Sequence, residues 1–72
     1  MSTEEKIALL EETFEIEEGT LQPETLLEDV EEYDSIAKLS LIVMFEDEFD
    51  KKITSEQIKG FEKVGDILEI ME

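Results

Sequence analysis

Residues 31–53, EEYDSIAKLSLIVMFEDEFDKKI, are the stretch that decides the fold of this chain. Asp34 and Ser35 are residue types that favour a helix start, and the apolar run behind them predicts a helix from Ile36 to about Asp50. At about 100° per residue, this helix carries two separate stripes. We expect one stripe to face the core, and it consists of Leu39, Ile42, Phe45 and Phe49. The other stripe mixes apolar and polar residues, as an exposed contact surface would, and consists of Ile36, Ser40, Val43 and Asp47.

A first helix is predicted upstream, over residues 3–15. Ser2 can cap it, with Glu5 at the capping-box position three residues later. Its apolar stripe is formed at helical spacing by Ile7, Leu10 and Phe14.

Residues 17–33 form a long connection, because Gly19 and Pro23 interrupt the helical pattern. So long a connection is uncommon in a small domain and suggests a functional role. We expect it to be pinned across the helices by four apolar side chains, namely Leu21, Leu26, Leu27 and Val30.

Two short helices are predicted after residue 53. Thr54 or Ser55 can cap a short helix around Ile58, which Gly60 ends. A last helix is expected from about Val64 to Met71, with inward-facing Ile67, Leu68 and Met71. The pattern therefore predicts an all-α fold in a single domain, residues 1–72.

Composition excludes several classes of function. The chain has 22 acidic residues against six lysines, a net charge of −16, and neither histidine nor cysteine. Such a surface repels nucleic acid and anionic membranes and attracts basic patches on proteins. The usual general bases, thiol nucleophiles and metal-binding thiolates are missing, and the acidic run 46–50 lacks the alternating ligands of a calcium loop, so we expect neither an enzyme nor a metal site. No apolar run reaches membrane-spanning length and no signal peptide is recognisable, so the expected location is the cytoplasm.

Asp34-Ser35-Ile36 at the mouth of the long helix is the one remaining candidate site. Taken alone, an Asp-Ser pair before an apolar helix is more often a helix cap than a modification site. However, residues 31–53 closely resemble the acyl carrier proteins, whose signature is an Asp-Ser-Leu triplet that opens a long helix ending in acids and Phe-Asp. The resemblance continues through residues 26–30 (LLEDV) and residues 63–67 (KVGDI) and covers nearly the whole chain.

This resemblance implies a four-helix bundle with a long first loop and a short third helix. It also implies that a phosphopantetheinyl transferase attaches phosphopantetheine from coenzyme A to Ser35, and that the arm carries acyl groups as thioesters. Acyl-processing partner enzymes would dock through basic patches on a surface that comprises Asp34, Ile36, Val43, Glu46 and Asp47. The acyl chain would be sheltered by a set of apolar residues for which the candidates are Leu39, Ile42, Phe45, Ile58 and Leu68.

Departures from the family pattern favour a specialised stand-alone carrier over generic fatty-acid synthesis. Ser40 stands where fatty-acid carriers usually have glutamate, Lys38 adds a positive charge, and Phe45 replaces a smaller aliphatic residue. We therefore expect a short or polar acyl cargo. Two alternatives stay open: an aminoacyl or peptidyl carrier, and an acidic helical interaction module in which Ser35 serves only as a cap. In each case the high net charge favours a monomer.

We predict that added salt or divalent cations raise the melting temperature, because screening weakens the self-repulsion of a chain with net charge −16. Thermal unfolding followed by circular dichroism over increasing NaCl and MgCl2 measures the effect. A melting temperature that is constant in both series would contradict this prediction.

Overall fold

The computed structural model describes residues 2–71, which fold into four α-helices. The helices are α1 (Thr3–Thr13), α2 (Ser35–Phe49), α3 (Ser55–Gly60) and α4 (Val64–Leu68), and a short 3-10 helix spans Leu27–Asp29. Within the described residues, β-structure is limited to one isolated antiparallel bridge between Leu26 and Lys63. The all-α prediction is therefore confirmed. None of the helices in residues 2–71 has the length and apolar character needed to span a membrane.

Helix α1 begins with the predicted capping box. The Glu5 N–H donates to Ser2 Oγ over 3.2 Å, and the Ser2 N–H donates to Glu5 Oε1 over 3.0 Å. Hydrogen bonding from the backbone and hydroxyl of Ser2 lowers the pKa of the Glu5 carboxyl below its usual range. The helix ends at Thr13, before the predicted residue 15, because Glu15 adopts a left-handed backbone with φ of 58°.

Helix α2 spans Ser35–Phe49, close to its predicted bounds, and Asp50 ends it in a left-handed conformation. The buried residues are Ala37, Leu41, Met44 and Phe45, so the buried face is rotated from the predicted one. Burial is confirmed for Phe45, and the predicted Ile42 and Phe49 are half-buried against the core. The assignment of Leu39 to the core was wrong, because 64% of its side chain is exposed. Residues 36–45 are apolar around most of the helix, so periodicity alone could not select the buried face.

The core is a continuous apolar cluster drawn from all four helices and the connection. Helix α1 packs against both α2 and α4 within it. Ile67 and Met71 are buried as predicted, and α4 itself ends at Leu68 rather than at Met71. The fully or nearly fully buried members are Leu10, Phe14, Leu21, Leu27, Val30, Ala37, Leu41, Met44, Phe45, Ile53, Ile58, Val64, Ile67, Leu68 and Met71.

The connection between α1 and α2 is pinned by buried side chains, as predicted for Leu21, Leu27 and Val30. Leu26 is an exception, with 43% of its side chain exposed. Its backbone pairs with Lys63 in the isolated bridge, so this position is held by the main chain instead.

Main-chain hydrogen bonds join this connection to the segment before α4. The Leu27 N–H donates to the Glu62 carbonyl over 2.9 Å, and the Gly65 N–H donates to the Pro23 carbonyl over 2.8 Å. A Cβ atom on Gly65 would lie 3.0 Å from that same Pro23 oxygen, so the close approach of the two backbones favours glycine. In the segment before α4, the Asp66 carboxylate accepts hydrogen bonds from the N–H groups of Glu62 and Lys63. These hydrogen bonds lower the pKa of Asp66.

Helix α3 begins at Ser55, and Thr54 is its cap. The Gln57 N–H donates to Thr54 Oγ1 over 3.2 Å, and the Thr54 N–H donates to Gln57 Oε1 over 2.9 Å. Gly60 is the last helical residue, as predicted. The buried Ile58 anchors this short helix to the core.

Glu11 is the one charged residue in the described core, with only 3% of its surface exposed. Its Oε2 accepts a hydrogen bond from the Leu21 N–H over 2.9 Å. A buried backbone N–H in an irregular segment needs such a partner, so this carboxylate ties the connection to α1.

We predict that Glu11→Ala lowers the free energy of unfolding by about 1–3 kcal/mol, because the Leu21 N–H loses its buried acceptor. Urea unfolding measures the loss. Glu12→Ala is the matched control, since it removes the same charge from an exposed position of the same helix. A loss in Glu11→Ala no larger than that in Glu12→Ala would show that this hydrogen bond does not stabilise the fold.

Candidate functional site

Ser35 is the first residue of α2, and its side chain is exposed. The cap of this helix is Asp34, whose Oδ1 accepts from the Ala37 N–H over 2.9 Å. The capping requirement of α2 is therefore met by Asp34 rather than by Ser35. Ser35 is thus exposed at the start of α2 and is not the capping residue.

The turn before Ser35 is fixed by short-range hydrogen bonds and by one aromatic contact. The Tyr33 N–H donates to the Val30 carbonyl and the Asp34 N–H to the Glu32 carbonyl, each over 3.0 Å. The Tyr33 ring meets the Phe14 ring edge-on, with 5.4 Å between the centroids. This contact joins the turn to the end of α1, so Ser35 lies on a supported segment.

The Tyr33 hydroxyl is buried and has no hydrogen-bond partner among residues 2–71. Burial raises the pKa of this phenol, because the charged form would lose its hydration. Above the ring, Lys38 Nζ lies 5.4 Å from the Tyr33 centroid, in the geometry of a cation–π contact. Tyr33 thus contributes its ring to the site.

Electrostatics at Ser35 combine two opposing effects. The N-terminus of a 15-residue helix presents unpaired N–H groups and the positive end of the helix dipole, which favour a phosphate group. Exposed carboxylates at Glu31, Glu32 and Asp34 lie just upstream and oppose it. The exposed hydroxyl has room for a phosphate ester, which the helix N-terminus would favour and the three carboxylates would disfavour.

An open cleft of about 340 Å³ begins at Ser35 and runs between α2 and α3. Three of the acyl-shelter candidates, Leu39, Ile42 and Ile58, line it together with Ser35. The other two candidates do not line it, because Phe45 and Leu68 are buried in the core. Phe45 instead packs against Phe49, with 5.6 Å between the ring centroids.

The candidate partner-binding residues are all exposed and lie along α2 and at its cap; they are Asp34, Ile36, Val43, Glu46 and Asp47. Ile36 and Val43 are exposed to 73% and 55%, which is unusual for large apolar side chains. The exposure predicted for the second stripe of α2 is confirmed for Ile36, Val43 and Asp47, and Ser40 is half-buried. All four residues of this stripe also line a cleft of about 480 Å³ between α2 and α1.

The cleft beside Ser35 is also lined by Ser55 and Lys59, which were not predicted from the sequence. Both belong to α3 and line the cleft beside Ser35. Ser55, Ile58 and Lys59 follow the helical spacing of one face, so the position of Ile58 indicates them. What the sequence does not indicate is that this face of α3 lies next to the start of α2.

Within residues 2–71, no group of three or more acidic side chains is placed to hold a metal ion. Comparisons of the chain with protein-family models, with curated proteins and with solved structures find no match.

We predict different effects of Asp34→Ala and Ser35→Ala on stability. Loss of the cap in Asp34→Ala lowers the free energy of unfolding by about 1 kcal/mol. Ser35→Ala, at an exposed position that does not cap the helix, changes it by less than about 0.5 kcal/mol. Urea unfolding compares the two, and an equal loss in both variants would mean that Ser35 shares the capping role.

Proposed function

We propose that this chain is an acyl carrier protein whose prosthetic arm, phosphopantetheine, is attached to Ser35. The observation that carries the proposal is the division of roles at the start of α2. Asp34 caps the helix, so the exposed Ser35 hydroxyl is free for modification, and a largely apolar cleft begins beside it. The sequence resemblance described above points to the same serine.

The proposal includes a four-helix bundle with a long first loop and a short third helix. Support comes from the four α-helices, the pinned connection between α1 and α2, and the six-residue α3. The carrier is further proposed to act as a monomer in the cytoplasm, since a net charge of −16 opposes self-association.

Attachment of the arm is a phosphoryl transfer catalysed by a separate transferase. A new bond forms between Ser35 Oγ and the pantetheine-bearing phosphorus of coenzyme A, and the bond from that phosphorus to the bridging oxygen breaks. Adenosine 3′,5′-bisphosphate leaves, and a base of the transferase takes the serine proton. The contribution of this chain is an accessible hydroxyl and a helix N-terminus that favours the phosphate.

When bound, the arm supplies a thiol that holds acyl groups as thioesters, a group that a chain without cysteine lacks. The apolar residues Leu39, Ile42 and Ile58 in the cleft would keep water from part of the cargo. Recognition is proposed to use the exposed apolar residues Ile36 and Val43, together with acids that attract basic partner surfaces. The pathway is proposed to be fatty-acid synthesis or a specialised acyl pathway.

The second candidate is an interaction module without a prosthetic group. It is supported by the exposed apolar side chains of Ile36, Leu39 and Val43, next to the acids Glu46 and Asp47. A basic partner could bind this surface whether or not Ser35 is modified. An aminoacyl or peptidyl carrier would use the same serine with a different cargo.

Incubation with coenzyme A and a broad-specificity phosphopantetheinyl transferase tests the proposal. We expect intact mass spectrometry to show a gain of one phosphopantetheine unit. Ser35→Ala is expected to fold and gain nothing, and Ser40→Ala, a serine on the same helix, is expected to gain the full unit. A folded wild-type chain that gains no mass would overturn the carrier proposal and favour the interaction module.

A further inference from the structure

The cleft beside Ser35 has an unusual charge for this chain. Its polar lining residues are two serines and two lysines, namely Ser35, Ser55, Lys38 and Lys59. Of the described residues, no carboxylate lines it, although the chain has 22 acidic residues and only six basic ones. Two of the six lysines therefore line a cleft whose described lining includes no acidic residue.

The two lysines flank an apolar floor. Ile58 is buried with 5% exposure and lies next to Lys59 in sequence, while Leu39 follows Lys38. Both lysines are exposed, and Lys38 Nζ lies 5.4 Å from the centroid of the Tyr33 ring, which does not itself line the cleft. The result is a small apolar cleft with a cationic rim.

A second cleft shares these lysines but differs from the Ser35 cleft in its other charged residues. Lys38, Ile58 and Lys59 also border a larger cleft of about 730 Å³, whose lining includes Glu28, Glu31 and Glu62 and does not include Ser35. An anionic group would meet three carboxylates there. In the Ser35 cleft it would meet the two lysines alone.

We propose that the Ser35 cleft selects a short acyl chain that ends in an anionic group, with Lys38 and Lys59 as the residues that determine this specificity. The occupant would be the half-thioester of a dicarboxylic acid, its methylenes against Ile42 and Ile58 and its carboxylate at the two ammonium groups. This inference rests on the proposed carrier function, because the arm must deliver the chain to the cleft.

Loading with two acyl groups of equal chain length tests it. The transferase attaches the acylated arm from pentanoyl-CoA or from glutaryl-CoA, and mass spectrometry verifies each product before its melting temperature is measured. Without a specific site, the added carboxylate lowers the melting temperature, since it increases the net negative charge of the chain. We expect the opposite sign at low salt: the glutaryl form melts higher than the pentanoyl form by roughly 2–4 °C, and added NaCl removes the difference.

Lysine variants assign the effect to the cleft. In Lys38→Gln/Lys59→Gln, we expect the glutaryl form to melt below the pentanoyl form. In Lys52→Gln, an exposed lysine outside the cleft, the wild-type order should persist. The inference would be overturned if the glutaryl form of the wild type melted at or below the pentanoyl form. It would also be overturned if the lysine substitutions changed the melting temperatures of both forms equally, since the lysines would then interact with the phosphate of the arm. If neither acylated arm could be attached to the chain, the carrier proposal itself would be overturned, and this inference with it.

Discussion

The connection between α1 and α2 is irregular, so its buried backbone N–H and C=O groups need hydrogen-bond partners outside a helix or sheet. The rest of the structure depends on these hydrogen bonds. At its start, the Leu21 N–H donates to the buried Glu11 carboxylate. Further along, residues 23–27 exchange main-chain hydrogen bonds with residues 62–65. These two attachments place the buried Leu27 and Val30 in the core and leave a short supported turn before Ser35. The site is thus positioned from α1 on one side and from the segment before α4 on the other.

Adjacent residues at the start of α2 have different physical roles. The Asp34 carboxylate accepts a hydrogen bond from the Ala37 N–H and thereby stabilises the start of the helix. Ser35 is exposed and does not cap the helix, so its hydroxyl is not needed for the hydrogen bond that starts α2. The same separation applies to charge, because the acids crowd the outer surface while the cleft next to Ser35 has only lysines as its charged lining.

Local patterns predicted the helix starts, since a capping residue and its partner lie only three positions apart. Ser2 with Glu5, Asp34 before α2, and Thr54 before α3 are of this kind. The orientation of α2 was not predictable, because an almost continuously apolar helix permits several buried faces, and Leu39 was assigned to the wrong one. The exposed Leu26 has the same type of explanation, since its place is determined by pairing with the distant Lys63.

At the candidate site, the family resemblance predicted Ser35 as the modified residue, and three of the predicted apolar residues, namely Leu39, Ile42 and Ile58, line the cleft beside it. Phe45 and Leu68 could not be separated from them, because apolar residues at helical spacing look alike whether they line a cleft or fill a core. The hydrogen bond between Gly65 and Pro23 joins two residues that are far apart in the chain. Caps and helix turns form from neighbours in sequence, whereas this bond closes a loop that contains α2 and α3, with a correspondingly high contact order and entropic cost. The helix that begins at Ser35 can therefore form from local contacts, whereas the surroundings of Ser35 also depend on this distant pairing.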